Sequence, residues 1–137
     1  QKLKSERLII KKCKKYHIIR LPIVHSYGDK KSRCFIDRSI VKLKSNNKVN
    51  IFSNVERSFL KLDDLLFIIS RLISDTNYGV FHAGTKMTSY LDRIYNISDI
   101  LGGIDKNNIY PCIGNVLPRK QGLNSSKIQK MLKFSKP

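Results

Sequence analysis

His17-Ile18-Ile19-Arg20-Leu21-Pro22-Ile23-Val24, closed by Tyr27-Gly28-Asp29, is the stretch on which the reading of this chain turns. Its β-branched residues suit a buried strand, and the tyrosine, glycine and aspartate after it make a turn. Residues 3–15 precede it and read as a helix, with Leu3, Ile9 and Ile10 set among basic positions and Glu6 able to pair with nearby lysines. Residues 33–45 follow it as a second helix, in which Phe35, Ile36, Ile40, Val41 and Leu43 form one apolar stripe. Ser45-Asn46-Asn47 breaks that helix.

The same alternation continues to the end of the chain. Val49-Asn50-Ile51-Phe52 is a short strand, and Asp63 or Asp64 is a suitable N-cap for an apolar helix over 65–73. Residues 78–84 form another strand. Thr88 or Ser89 caps a helix over 90–101, with Leu91, Ile94, Ile97 and Leu101 on one face and Gly102-Gly103 as its stop. The chain is expected to be irregular to Asn124, where Ser125 or Ser126 begins a last helix with Ile128, Met131 and Leu132 facing inward. Helix and strand in strict alternation mark an α/β protein. Three strands are too few to close a sheet, so the sheet is expected to be incomplete.

Composition narrows the classes. About 41% of the 137 residues are apolar, enough for a core. No run approaches the ~18 uninterrupted apolar residues of a membrane span, and the polar, basic start lacks the features of a signal peptide. A cytoplasmic location is the expectation. Cys13, Cys34 and Cys112 are odd in number and irregularly spaced, so they read as reduced thiols and not as a disulfide or zinc framework. The net charge is +17, and it is uneven. Residues 1–48 hold 15 Lys and Arg against 3 Asp and Glu, whereas 49–118 hold 6 against 7 and 119–137 hold 6 against none. Basic ends attract phosphates, of nucleic acid or of a nucleotide-sugar diphosphate. A genome that favours Lys and Asn codons accounts for the excess equally well.

Several segments, taken in order, resemble one family. Lys2-Leu3-Lys4-Ser5-Glu6 is similar to a helix carrying the lysine of a Tyr-x-x-x-Lys pair. Ile18 to Val24 with Tyr27-Gly28 is similar to a strand and an Arg-x-x-x-Val-Tyr-Gly loop, lengthened here by His25 and Ser26. Arg57-Ser58-Phe59-Leu60-Lys61-Leu62-Asp63-Asp64-Leu65, Gly79 to Gly84 with Ser89-Tyr90, and Pro118-Arg119 with Leu123-Asn124-Ser125-Ser126-Lys127-Ile128 complete the series. Together they resemble the C-terminal half of the extended short-chain dehydrogenase/reductase family, the NAD-dependent epimerase/dehydratase superfamily, closest to its dTDP-4-dehydrorhamnose reductase branch.

The resemblance implies a fold and a site. The fold would be the C-terminal portion of a Rossmann-type enzyme: an incomplete parallel sheet plus a small helical substrate-binding lobe over 1–137, without the dinucleotide-binding half. No Gly-x-Gly-x-x-Gly cradle is present, so NAD(P), the cofactor of the intact family enzyme, is not expected to bind this chain tightly. Lys2 would be the catalytic lysine that also holds the cofactor, its charge lowering the pKa of a tyrosine acid/base. That tyrosine would fall before residue 1, and the chain alone is expected to be inactive. Arg119, Tyr27 and Arg57 would be substrate-binding, Arg119 through the bidentate contact a guanidinium makes with a diphosphate. The implied substrate is a nucleotide sugar, and the family also admits a homodimer.

Plainer readings of the same residues stand beside these. Lys2 reads equally as a surface lysine, Arg119 as a solvated tail arginine and Arg57 as a loop surface group. Arg20 reads as a structural partner of Asp63 or Asp64, and Asp63-Asp64 as a cap. His17, His25 and His82 are separate core or surface histidines, and no metal site is expected. Two other functions remain open: a small basic nucleic-acid-binding protein, disfavoured because no RRM, KH, zinc-finger or helix-turn-helix signature occurs, and a non-catalytic regulatory protein of the same fold.

Overall fold

In the computed structural model, residues 1–115 and 118–133 are described, and the side chains of Met131 and Lys133 are not among them. The chain is α/β, as expected, and built mainly from parallel strand pairs. Leu21-Pro22 divides the opening strand in two. Proline has no N–H to offer a ladder, and the chain changes partner there. β1 (His17–Arg20) pairs in parallel with β6 (Gly79–His82), and β2 (Ile23–His25) with β5 (Phe59–Lys61). The expectation of one strand over 17–24 is corrected accordingly.

β3 (Val49–Phe52) pairs in parallel with β8 (Ile109–Cys112). β4 (Glu56–Arg57) lies between β7 (Thr88–Ser89), antiparallel to it, and β9 (Lys120–Gln121), parallel to it. β4, β5, β7, β8 and β9 were not anticipated. Strands of two to four residues carry too few positions for an alternating pattern to register. The segment before Asn124 is therefore not wholly irregular.

Two cores meet at β5. Neighbouring strand residues point to opposite faces, and Phe59 and Leu60 enter different clusters. Phe59 packs with Ile36, Ile40 and Leu43 of α2 (Phe35–Lys44), Ile51 of β3, and Ile94 and Ile97 of α4 (Tyr90–Leu101). Leu60 packs with Leu65, Ile68 and Leu72 of α3 (Leu62–Ile73), Phe81 of β6 and Ile128 of α5 (Ser126–Lys133). Leu132 is partly buried there as expected, while the Met131 side chain lies outside the described residues. Phe35, expected in the α2 stripe, is exposed instead.

Caps and ion pairs bring further corrections. α3 begins at Leu62 after Lys61, with no side-chain cap, so Asp63 and Asp64 sit inside the first turn. There their charges complement the helix dipole instead of capping it. Ser89 does cap α4, its Oγ accepting from the Asp92 N–H at 3.0 Å, and Gly102 at φ 65 ends that helix. Arg20 does not pair with Asp63 or Asp64. It donates to Glu6 of α1 (Lys2–Lys12) at 2.7 Å, which also takes Glu6 away from the lysines; Asp63 is bound by Lys61 at 2.7 Å. Arg20 closes β1 beside His82, its register partner, within 3.3 Å of the ring Nε2. α1 buries none of its residues. Among the described residues, no helix is long and apolar enough to cross a membrane.

Candidate functional site

β4 is two residues long, yet it holds together three parts of the chain. Its backbone joins β7 on one side and β9 on the other. The Arg57 guanidinium strengthens the second junction, since Nη1 donates to the carbonyls of Glu56 (2.7 Å) and Arg119 (2.9 Å) and Nη2 to that of Pro118 (2.8 Å). The Glu56 N–H donates to the Arg119 carbonyl at 2.8 Å, and Lys120 pairs with Glu56 at 2.9 Å. Arg57 is thus a half-buried strand residue and not a loop surface group. Its hydrogen bonds bring Arg57 and Arg119 together across 62 positions of sequence, with the Arg119 side chain left exposed.

Beside this junction lies an open groove of about 360 Å³ lined by Ser58, Thr85, Lys86, Met87, Gly122, Leu123 and Asn124. Its walls are pinned by short polar contacts. Ser58 Oγ accepts from the Leu123 N–H at 3.3 Å, Thr85 Oγ1 donates to the Phe59 carbonyl at 3.0 Å, and Ser125 Oγ donates to the Gly84 carbonyl at 2.8 Å. Gly122 permits the close approach, because a Cβ there would meet Met87 Cγ at 2.6 Å.

An aromatic shelf adjoins Arg57. Phe35 and Phe52 lie nearly parallel with centroids 6.1 Å apart, and Tyr90 stands edge-on to both and to Phe59. Burial raises the Tyr90 phenol pKa, while the Arg57 charge opposes the rise. Asn54 and Gly114 exchange two hydrogen bonds, Nδ2 to the carbonyl at 3.0 Å and N–H to Oδ1 at 2.8 Å. Gly114 lies so close to Phe52 that a Cβ would approach the ring to 2.8 Å.

Tyr27 stands with other partners. Its backbone is left-handed, at φ 59, in a turn held by buried Asp37, which accepts from the Ser26 N–H at 2.9 Å and the Gly28 N–H at 3.0 Å. Burial alone would raise the Asp37 carboxyl pKa, but hydrogen bonds from Ser32, Gly28 and Ser26 and the nearby His25 together lower it. The Tyr27 ring lies 5.3 Å from His25, with Lys61 Nζ 5.0 Å above it. His25 is fully buried and accepts from Arg93.

Lys2 is exposed in the first turn of α1. Among the described residues, no hydrogen bond or ion pair joins it to Tyr27, Arg57 or Arg119. The four sequence candidates therefore fall into three places: Arg57 with Arg119, Tyr27 with His25, and Lys2 apart. Sequence reasoning missed the shelf and the groove. Phe35 and Phe52 read as core residues from their apolar neighbours, and the turn Gly84-Thr85-Lys86-Met87 before the Ser89 cap was the one visible signal of a wall.

No protein-family model and no curated protein matches the sequence. Solved structures do match. The dTDP-4-dehydrorhamnose reductase of Bacillus anthracis, in complex with NADP, superposes with a TM-score of 0.76 at 18% identity, over 94% of this chain and 47% of that one. The UDP-glucose 4-epimerase of Thermotoga maritima, with UDP-glucose, gives 0.72 at 20% identity, over 93% and 43%. The dTDP-4-dehydrorhamnose reductase of Clostridium acetobutylicum gives 0.72 at 19% identity, over 98% and 47%. This chain spans less than half the length of each. Its fold is that of part of a Rossmann-type extended short-chain dehydrogenase/reductase, of the kind found in dTDP-4-dehydrorhamnose reductase and its relatives.

Proposed function

We propose that residues 1–137 are the C-terminal, substrate-binding part of an NAD(P)-dependent oxidoreductase or epimerase acting on a nucleotide-activated sugar, resembling dTDP-4-dehydrorhamnose reductase. The observation that carries this reading is the junction of Arg57 and Arg119 beside an aromatic shelf and an open groove. A nucleotide sugar needs cations for its diphosphate and a flat apolar surface for its base. Arg119 would meet the diphosphate directly. Arg57 would add charge while fixing the segment that leads into β9, since two of its hydrogen bonds already go to the carbonyls of Pro118 and Arg119. Tyr27 would border the pocket from the β2 side. Lys2 would support the catalytic acid/base and the nicotinamide ribose, a role that rests on the resemblance alone.

NAD(P) is the cofactor of this reading for the intact enzyme, with little affinity for these 137 residues by themselves. The described free thiols suit a reducing, cytoplasmic setting, and assembly as a homodimer belongs to the same picture. Calorimetric titration of the chain with UDP-glucose and with dTDP at moderate salt tests it. Saturable binding that Arg119→Ala weakens about tenfold is expected, the size of one charge-assisted bidentate contact. Binding that is absent, or equal in Arg119→Ala, defeats the assignment.

One observation favours a second reading, as a basic nucleic-acid-binding protein: residues 2–15 place seven Lys and Arg on and just after an exposed helix. A steep fall of DNA affinity with salt would support it.

A further inference from the structure

A second cluster, built from other residues than the groove, lies at the carboxyl ends of β2 and β5. Parallel strands leave ligand crevices at that end. His25 closes β2 opposite Lys61, which closes β5, and Arg93 reaches them from α4. Arg93 is half-buried, and both of its hydrogen bonds end on one acceptor, His25 Nε2, from Nε at 3.2 Å and Nη2 at 2.6 Å. Its guanidinium lies 5.8 Å from the Phe59 ring centroid. Among the described residues it makes no ion pair, and its Nη1 protons have no hydrogen-bond partner. Burial lowers its pKa, and Tyr27 and Asp64 oppose that only through space.

A fully buried arginine is almost always paired with a carboxylate or phosphate, and Arg93, half-buried, has neither bonded to it among the described residues. Among the described residues its bonded acceptor is a neutral imidazole. Arginine can only donate, so His25 Nε2 must accept and its proton must sit on Nδ1, which is buried without a partner. Burial, then the charge on Arg93, keeps the ring neutral down to about pH 4. Lys61 adds a second cation, bound to Asp63 at 2.7 Å and resting over Tyr27. Asp37, Asp63 and Asp64 also lie around this corner, and Asp63 takes up the Lys61 charge, so what is left to donate is the outer edge of Arg93.

The geometry points to an oxyanion site, in which a phosphate or carboxylate group is held by the free edge of Arg93 with Lys61 and Tyr27 flanking it. The inference shares only Tyr27 with the sugar-nucleotide reading, because Arg93 and Lys61 carry it and neither belongs to the groove.

The test is an NMR titration of the chain with sodium phosphate at pH 7 and constant ionic strength, following the ring signals of His25 and Tyr27. Saturable shifts are expected. Arg93→Met should weaken them about tenfold and Arg93→Lys severalfold, because the planar fork is lost. Lys44→Met, on the exposed side of α2, should leave them unchanged, which separates a site from general attraction to a basic protein. Repeating the titration with acetate distinguishes a carboxylate ligand from a phosphate. Shifts that rise linearly with both anions, or that are the same in wild type and Arg93→Met, overturn the proposal. Should Arg93→Met not fold, Arg93→Lys gives the same decision.

Discussion

Helices α4 and α1 are close in length and differ in almost everything that stabilises a helix. α4 has a serine cap bonded to Asp92, a glycine stop, and Ile94 and Ile97 fully buried against α2 and β3. α1 has no side-chain cap, no acid in its first turn and no buried residue, while Leu3, Leu8 and Ile10 stand about half exposed. α3 is intermediate. Leu65, Ile68 and Leu72 are buried on one face, but Leu66, Phe67 and Ile73 are exposed on the other. Apolar content alone thus does not decide which helices hold this fold. The sealed layer of α2, α4 and β3 does so, and the α1 side contributes a tether through Glu6 and Arg20.

The largest expected effect falls in that layer. Ile94→Ala removes a fully buried side chain and should cost about 2–5 kcal/mol in urea unfolding, a large share of a small domain's stability. A loss under about 1 kcal/mol would show the layer to be loosely packed. Gly28→Ala comes next, at about 2–4 kcal/mol. Gly28 has φ +99, and a Cβ there would meet Ile40 Cγ2 at 2.7 Å, so backbone strain and overpacking of the same layer add.

The boundary of the layer responds to pH. The folded-state pKa of His25 lies at about 4, below the ordinary 6.5, because of burial and then Arg93. As pH falls, the unfolded chain takes up this proton first. The stability from a neutral His25 is therefore complete above about pH 6.5 and is lost on descending towards 4. After allowance for partial solvent screening, the loss is about 1–3 kcal/mol. Urea midpoints at pH 7 and 4.5 measure it, and His25→Gln should flatten that difference. An unchanged slope in the variant would assign the pH dependence to other groups.

The alternation of helix and strand was legible because helices of ten or more residues carry a full apolar face. α2, α4 and the Ser89 cap came from that pattern and from local turn chemistry. The two-residue strands were not legible, because β4 exists only through partners that lie 31 to 64 positions away in sequence. The partner of Arg20 was missed for a related reason. Asp63 is captured by its neighbour Lys61, and only the course of α1 past the end of β1 brings Glu6 within reach. Of the candidate site, Arg57 and Arg119 could be named singly, but their junction depends on the parallel pairing of β4 with β9. Phe35 and Phe52 read as core because a sequence shows that a residue is apolar and not which side of it remains open.

The smallest expected effect is the most direct test of the comparison between α1 and α4. Leu8→Ser places a hydroxyl where the leucine is already half exposed, so its cost should stay within about 0.5 kcal/mol. An eleven-residue helix is too short to persist alone in water, so packing would have to supply what its length does not. Among the described residues α1 is tied down by the part-exposed Glu6–Arg20 pair, and an ion pair so open to solvent adds little. Its amides should therefore exchange with solvent through local opening, while those of Ile94 to Ser98 in α4 should need nearly global unfolding. Hydrogen exchange read by mass spectrometry over peptides 2–12 and 90–101 decides the matter. Protection of α1 comparable to that of α4, or a Leu8→Ser cost near that of Ile94→Ala, would mean that the exposed apolar face of α1 is covered in solution.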